Sequence, residues 1–248
     1  MSTPELSVES AVATITLRRP EQANRLEPED LETLLAHLDT VNADPTILVL
    51  CLRATGKYFC SGYNIGAIGG ARRVDFEQVA NALEQARPVT VAVLQGGVYG
   101  GATDLALACD FRLGGQATDM FMPAVRLGLH FYRGGLERYV TRLGLDNAKR
   151  LFLTADRLGA EALLRIGFLT ELCAGDALES RADQLCDTLA GQAPMALLGM
   201  KNHLNHIARG TLDAQALQQD VQRAFQSEDL REGQAAWLEK RPPRFSGR

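Results

Sequence analysis

No stretch of this chain is apolar over the length a membrane crossing needs. Its first residues, Met1-Ser2-Thr3-Pro4-Glu5, carry no basic segment leading into an apolar run, so a secreted protein is not expected. Positive charge is not in excess. Lys and Arg number 26 against 30 Asp and Glu, and the net charge of −4 offers no general attraction to nucleic acid. The five cysteines, Cys51, Cys60, Cys109, Cys173 and Cys186, are odd in number and form no CxxC, so neither a disulfide framework nor a zinc site is indicated. They read as reduced core thiols of a cytoplasmic protein. Gly-x-Ser-x-Gly and GxGxxG are both missing, which argues against a serine hydrolase and a dinucleotide site. His203 and His206 lie three apart on one predicted helix with no acid at helical spacing, and read as a solvated face rather than a metal site.

What is present suits an α/β core. Of the 248 residues, 46% are hydrophobic, enough for one domain with a helical appendage. Strands are expected at Leu6–Glu9, Val12–Arg18, Ile47–Leu52, Val89–Leu94, Phe111–Leu113 and Phe168–Leu172. Helices are expected from Pro28, where Leu31, Leu34, Leu35, Leu38 and Val41 share a face, from Asp75 to about Ala86, and within Gly134–Ile166. Gly66–Arg73, small and polar, reads as a mobile segment. From Leu178 onward the pattern is helical, roughly 178–191, 194–209, 213–226 and 227–238. A boundary is placed at Ala193-Pro194, dividing the chain into 1–193 and 194–248.

Chemistry is suggested by three loops. In the second, the apolar Val89–Leu94 run leads into Gly96-Gly97-Val98-Tyr99-Gly100-Gly101 and a helix from Ala102 to Ala108. Its glycines let backbone approach a ligand, and the helix start leaves N–H groups unbonded. The first, Phe59-Cys60-Ser61-Gly62-Tyr63-Asn64-Ile65, carries another glycine. The third is Phe121-Met122-Pro123-Ala124-Val125-Arg126-Leu127-Gly128-Leu129. Taken alone, the Gly96–Gly101 run could equally be a tight turn for strand–helix packing.

These motifs, with Arg19-Pro20, Asn24-Arg25-Leu26 and the C-terminal Ser227-Glu228-Asp229, Glu232-Gly233, Leu238-Glu239-Lys240-Arg241-Pro242 and Phe245, resemble the enoyl-CoA hydratase/isomerase (crotonase) superfamily in order and spacing across nearly the whole chain. The resemblance implies a spiral of ββα units with a C-terminal helical region that packs homotrimers or dimers of trimers. It implies a coenzyme A thioester as substrate; no separate cofactor, metal, membrane or nucleic-acid partner is expected. Tyr63 and Gly101 would supply the two amides of an oxyanion hole. Asn24, Arg25, Cys60, Gly62, Asn64, Ile65, Gly100, Ala124 and Phe131 would line the substrate site, and Trp237 and Lys240 would contact the coenzyme A nucleotide.

Hydration in this family uses two glutamates around one water. Here the first position is Asp104, and the second, after Pro123, is Ala124, which cannot carry a proton. The run from Val98 to Asp104 and the segment from Val125 resemble the methylmalonyl-CoA decarboxylase branch, although that branch has tyrosine at Phe131 and glutamate at Asp104. Asp104 reads as acid/base, or as a buried structural acid. His130, with Tyr132 and Arg133, could bind a substrate carboxylate or donate a proton, or be an ordinary loop histidine. The expectation is an enolate-stabilising decarboxylase or isomerase. The alternatives are a hydratase with an altered acid/base set and a non-catalytic acyl-CoA-binding protein.

Overall fold

The computed structural model describes residues 2–70 and 73–248. Ala71 and Arg72, inside the Gly66–Arg73 stretch, lie outside the described residues. In chain order the strands are β1 (Glu5–Glu9), β2 (Val12–Leu17), β3 (Val49–Ala54), β4 (Val89–Leu94), β5 (Val98–Tyr99), β6 (Phe111–Gly114), β7 (Asp119–Phe121), β8 (Leu158–Gly159) and β9 (Glu171–Leu172). The helices are α1 (Pro28–Ala43), α2 (Phe76–Glu84), α3 (Gly101–Ala108), α4 (Arg133–Leu143), α5 (Leu145–Thr154), α6 (Ala160–Arg165), α7 (Leu178–Ala190), α8 (Pro194–Ala208), α9 (Ala214–Gln226) and α10 (Glu228–Glu239). Among the described residues no helix is long and apolar enough to cross a membrane.

Six strands form one sheet in the order β1-β2-β3-β4-β6-β9, antiparallel only between β1 and β2. Its central strands are covered on both faces, which is why they read as unbroken apolar runs. Leu50 and Leu52 of β3 and Ala92 and Leu94 of β4 pack with Leu31, Leu34 and Leu38 of α1 and with α2 and α3. Their alternate neighbours Val49, Cys51, Val91 and Val93 pack on the other face against Leu178, Ala182, Cys186 and Leu189 of α7. Period-two alternation therefore sorts one sequence run into two cores.

Helix α1 begins at Pro28 with a capping box in which the Glu27 N–H donates to Asp30 at 2.8 Å. Asp30 also takes Arg19 Nη1 at 2.6 Å with both side chains buried, so the segment after β2, which flanks the loop of Phe59–Ile65, is pinned to the helix.

The sequence expectations need four corrections. Only Glu171–Leu172 of the expected last strand pairs with the sheet; Phe168 is core, and its carbonyl accepts the Arg112 side chain at 2.5 Å. The strand expected from Ile47 begins at Val49. A second, three-stranded sheet of β5, β7 and β8 was not expected, because strands of two or three residues have no periodicity to read. His203 is not on a solvated face: it is buried and bonded to Asp220 of α9 at 2.8 Å.

Candidate active site

The first loop is suspended between two other segments. Phe59 and Cys60 donate to the Gly97 carbonyl at 3.1 and 3.2 Å, and Tyr99 donates back to the Cys60 carbonyl at 3.0 Å. On the other side Ser61 donates to Ala23, Leu26 to Gly62 and Asn64 to Leu26, each at 2.9 Å. Asn24 holds this side in place. Its Oδ1 accepts the Arg19 N–H at 2.8 Å, and its Nδ2 donates to the Thr55 and Tyr58 carbonyls at 2.8 and 2.9 Å. In this ladder the Tyr63 N–H is skipped and donates to no described residue.

The second loop leaves β4 through glycines that steric contact demands. A Cβ on Gly96 would stand 2.0 Å from the Lys57 carbonyl oxygen. Gly100, at φ +54° and ψ −129°, turns the chain into α3, whose first residue is Gly101. Being first, Gly101 has no carbonyl behind it to receive its N–H. Gly62, at φ +97°, brings the two loops together: a Cβ there would meet the Tyr99 oxygen at 2.7 Å and the Gly101 nitrogen at 3.4 Å. Two unengaged amides, Tyr63 and Gly101, thus border a cavity of about 330 Å³.

The cavity has an aromatic wall. Phe131 stacks on Tyr132 at 4.2 Å between ring centroids, Phe76 lies 6.4 Å from Tyr132, and Tyr63 is edge-on to Phe76 at 6.1 Å. The Tyr63 hydroxyl is buried with no hydrogen-bond partner among the described residues. Ala124, 4% exposed at the start of a 3-10 turn over Ala124–Leu127, presents only a methyl group to the lining.

Asp104 is fully buried and does not line this cavity. Its Oδ1 accepts Arg138 Nε at 2.9 Å, and its Oδ2 accepts Arg138 Nη2 at 2.7 Å and the Tyr132 hydroxyl at 2.6 Å. Arg138, itself wholly buried, also reaches Asn81 at 2.9 Å and Glu84 at 3.1 Å. Burial opposes the charge on Arg138, but the Asp104 bonds and charge outweigh it and hold the guanidinium pKa above its ordinary value. Burial, reinforced by the neighbouring Asp104 charge, pushes the Tyr132 hydroxyl well above the usual tyrosine value. Tyr132 therefore reaches the cavity as a neutral phenol whose proton is committed to Asp104.

With this geometry in view, the comparisons decide the family. The family model for enoyl-CoA hydratase/isomerase matches residues 7–248. The chain belongs to that family. The enoyl-CoA hydratase/isomerase chain is 33% identical over 255 residues to the 1,2-epoxyphenylacetyl-CoA isomerase of Escherichia coli, covering 97% of each. It is 28% identical to the trans-2-decenoyl-[acyl-carrier-protein] isomerase of Streptococcus mutans, over 98% of this chain and 97% of the relative. Among solved structures it is similar to an enoyl-CoA hydratase from Bacillus anthracis, with a TM-score of 0.88, 25% identity and 100% of both chains covered. The fold is accordingly the crotonase fold, and the chain is an acyl-CoA enzyme of the family.

The remaining site expectations divide. Gly62, Tyr63, Ile65, Gly100, Gly101, Ala124, His130, Phe131 and Tyr132 line the one cavity. Asn24 and Cys60 are buried behind it, the Cys60 thiol donating to the Asn24 carbonyl at 3.0 Å, and both support the loop. Asn64 caps the short turn that follows, accepting the Gly66 N–H at 2.9 Å and donating to Glu27 at 2.7 Å. Arg25 pairs with the same Glu27 at 2.6 Å. Burial pushes the Cys60 thiol up to about 12. His130 is exposed, with Nδ1 against the Phe131 carbonyl at 2.8 Å. Trp237 lines a separate groove with Met195, Leu230 and Phe245, and Lys240 ends α10; neither lines the cavity beside Tyr63 and Gly101. The sequence reading missed Asp75, Phe76 and Glu77, which also line it. Acids at a helix start are ordinary dipole partners and give no separate signal.

Proposed function

We propose that this chain is an acyl-CoA isomerase that moves a carbon–carbon double bond through an enolate held by the Tyr63 and Gly101 amides. The observation that carries this reading is the pair of unengaged amides beside one apolar cavity, while the acid nearest them in sequence, Asp104, is spent on Arg138. In an enolate the thioester oxygen gains charge, and a preset N–H donor in a site shielded from water is worth about 3–4 kcal/mol at the transition state. Coenzyme A enters as part of the substrate, and the reaction calls for no other cofactor.

Hydration needs two free carboxylates around a water. One family position here is Ala124, and the other is Asp104, closed behind Tyr132. Decarboxylation needs a substrate carboxylate to settle in the cavity. The described lining holds Asp75 and Glu77 and no Lys or Arg, so a malonyl-type carboxylate meets charge of its own sign. Isomerisation asks for neither. One relative, the trans-2-decenoyl-[acyl-carrier-protein] isomerase of Streptococcus mutans, is a double-bond isomerase by name.

Incubation with trans-3-hexenoyl-CoA, methylmalonyl-CoA and crotonyl-CoA in heavy water, read by mass spectrometry, tests the assignment. The expected result is a deuterated 2-enoyl product from the first, no loss of carbon dioxide from the second and no addition of water to the third. Loss of carbon dioxide would make the chain a decarboxylase, and addition of water a hydratase. No turnover of any substrate would favour an acyl-CoA-binding protein. Self-association through the C-terminal helices, as a homotrimer or a dimer of trimers, belongs to the same proposal and is supported by exposed Phe225, Trp237 and Leu238 at 72%, 84% and 81%.

A further inference from the structure

A proton shift needs a group that removes a proton and returns it, and the residues expected to do so are unsuited. Ala124 does not titrate, Asp104 lies behind Tyr132 and Arg138, and the Tyr132 proton is bonded to Asp104. Another carboxylate does line the cavity. Glu77 stands in the first turn of α2, directly after Phe76, whose ring would lie 2.8 Å from a Cβ on Gly101. Its Oε1 accepts the Gly134 N–H at 2.8 Å, two residues beyond Tyr132. Its Oε2 takes no hydrogen bond from any described residue, and no salt bridge among them reaches it. One backbone donor fixes the carboxylate's orientation while leaving its second oxygen without a donor among the described residues. The other titratable groups of the lining are less suited: Asp75 is exposed and occupied in the capping box of α2, and His130 is exposed and turned to its neighbour's carbonyl.

We infer that Glu77 is the catalytic acid/base of this site, in place of the acids that the motifs point to. The inference rests on the enolate reading above. With a 3-enoyl thioester, the Glu77 carboxylate takes a proton from C2. The C2–H bond breaks, and its electron pair moves into the thioester carbonyl, giving a dienolate whose oxygen sits on the Tyr63 and Gly101 amides. The Glu77 carboxyl proton exchanges with solvent, Glu77 delivers a proton to C4, the oxygen's charge collapses back, and the double bond stands between C2 and C3. Atoms and charge balance with no other reactant. A single carrier suffices because both proton positions lie on one allylic unit.

The test is Glu77→Gln, which keeps an oxygen for the Gly134 N–H and removes the charge. Turnover of trans-3-hexenoyl-CoA, C2 exchange of butanoyl-CoA in heavy water by NMR, and calorimetric binding of butanoyl-CoA are measured side by side. The expected result is a fall of at least about 100-fold in kcat and in exchange, with binding changed less than about threefold. Wild-type kcat and exchange in Glu77→Gln would overturn the assignment while leaving the enolate reading standing. Absence of exchange in the wild type would overturn both. Glu77→Asp is the companion variant should the glutamine protein not fold. It keeps the charge one methylene further back, so lowered kcat with the acid limb of the pH profile retained supports the role, and unchanged kcat overturns it.

Discussion

Replacing Asp104 with asparagine is the sharpest test of how this site is built. Asp104 accepts two bonds from Arg138 and one from Tyr132, and both members of the ion pair are wholly buried. Asparagine keeps one oxygen but turns an N–H group toward donors, leaving the guanidinium to Glu84 at 3.1 Å and Asn81 at 2.9 Å. Removing one partner of a buried pair costs about 3–5 kcal/mol, and the residual Glu84 contact places this case near about 3 kcal/mol. For a chain of this size that is a fall in Tm of about 6–12 °C. Calorimetric unfolding of Asp104→Asn and of the double variant Asp104→Leu/Arg138→Met makes the comparison. The double variant, which removes both charges, is expected to recover part of the loss, with Tyr132 left lacking its acceptor. An Asp104→Asn protein with unchanged Tm and abolished turnover would refute the structural assignment and return Asp104 to the role of acid/base.

Gly62→Ala should abolish turnover and lower stability by about 1–3 kcal/mol, because the residue sits at φ +97° with the Tyr99 oxygen in the path of its Cβ; thermal unfolding and initial rates check this. Ala124→Glu is expected not to create crotonyl-CoA hydratase activity, since the second carboxylate it would need is bound to Arg138; water addition followed at the enoyl absorbance is the assay. The Cys60 and Cys109 thiols are both pushed up to about 12 by burial from an ordinary value near 9.0. The folded chain therefore holds protons that the unfolded chain releases, so these thiols contribute stability that is complete below about pH 9 and lost as pH rises toward 12. Urea midpoints between pH 8 and 11 should fall, and less so in Cys60→Ala/Cys109→Ala. If the C-terminal helices associate, dilution should shift the emission of the only tryptophan, Trp237, to the red; an emission independent of concentration would count against association through that face.

The long elements were legible because their residues obey one period. Val89–Leu94 is buried on both faces and reads as a strand from composition alone, and Pro28 marks the start of α1. The two amide loops were legible because glycine is forced where backbone meets backbone, as at Gly62 and Gly96. Asp104 was legible as an unusual acid in an apolar helix, but its partner Arg138 lies 34 residues on, and no local pattern joins them. His203 was misread for the same reason, its acid standing on the following helix. Glu77 carried no mark at all, since only the packing of α2 against the loop of Gly101 brings it to the cavity.

The suspension of the first loop has a consequence for variation and engineering. The Tyr63 amide is positioned by residues 23–26 on one side and 97–99 on the other, with Asn24 and the Arg19–Asp30 pair behind them. Screens for altered rate should therefore yield hits around Arg19, Asn24 and Asp30, residues that line no part of the cavity. Such hits would change kcat far more than affinity for the acyl chain, because what they tilt is the frame on which the amide hangs.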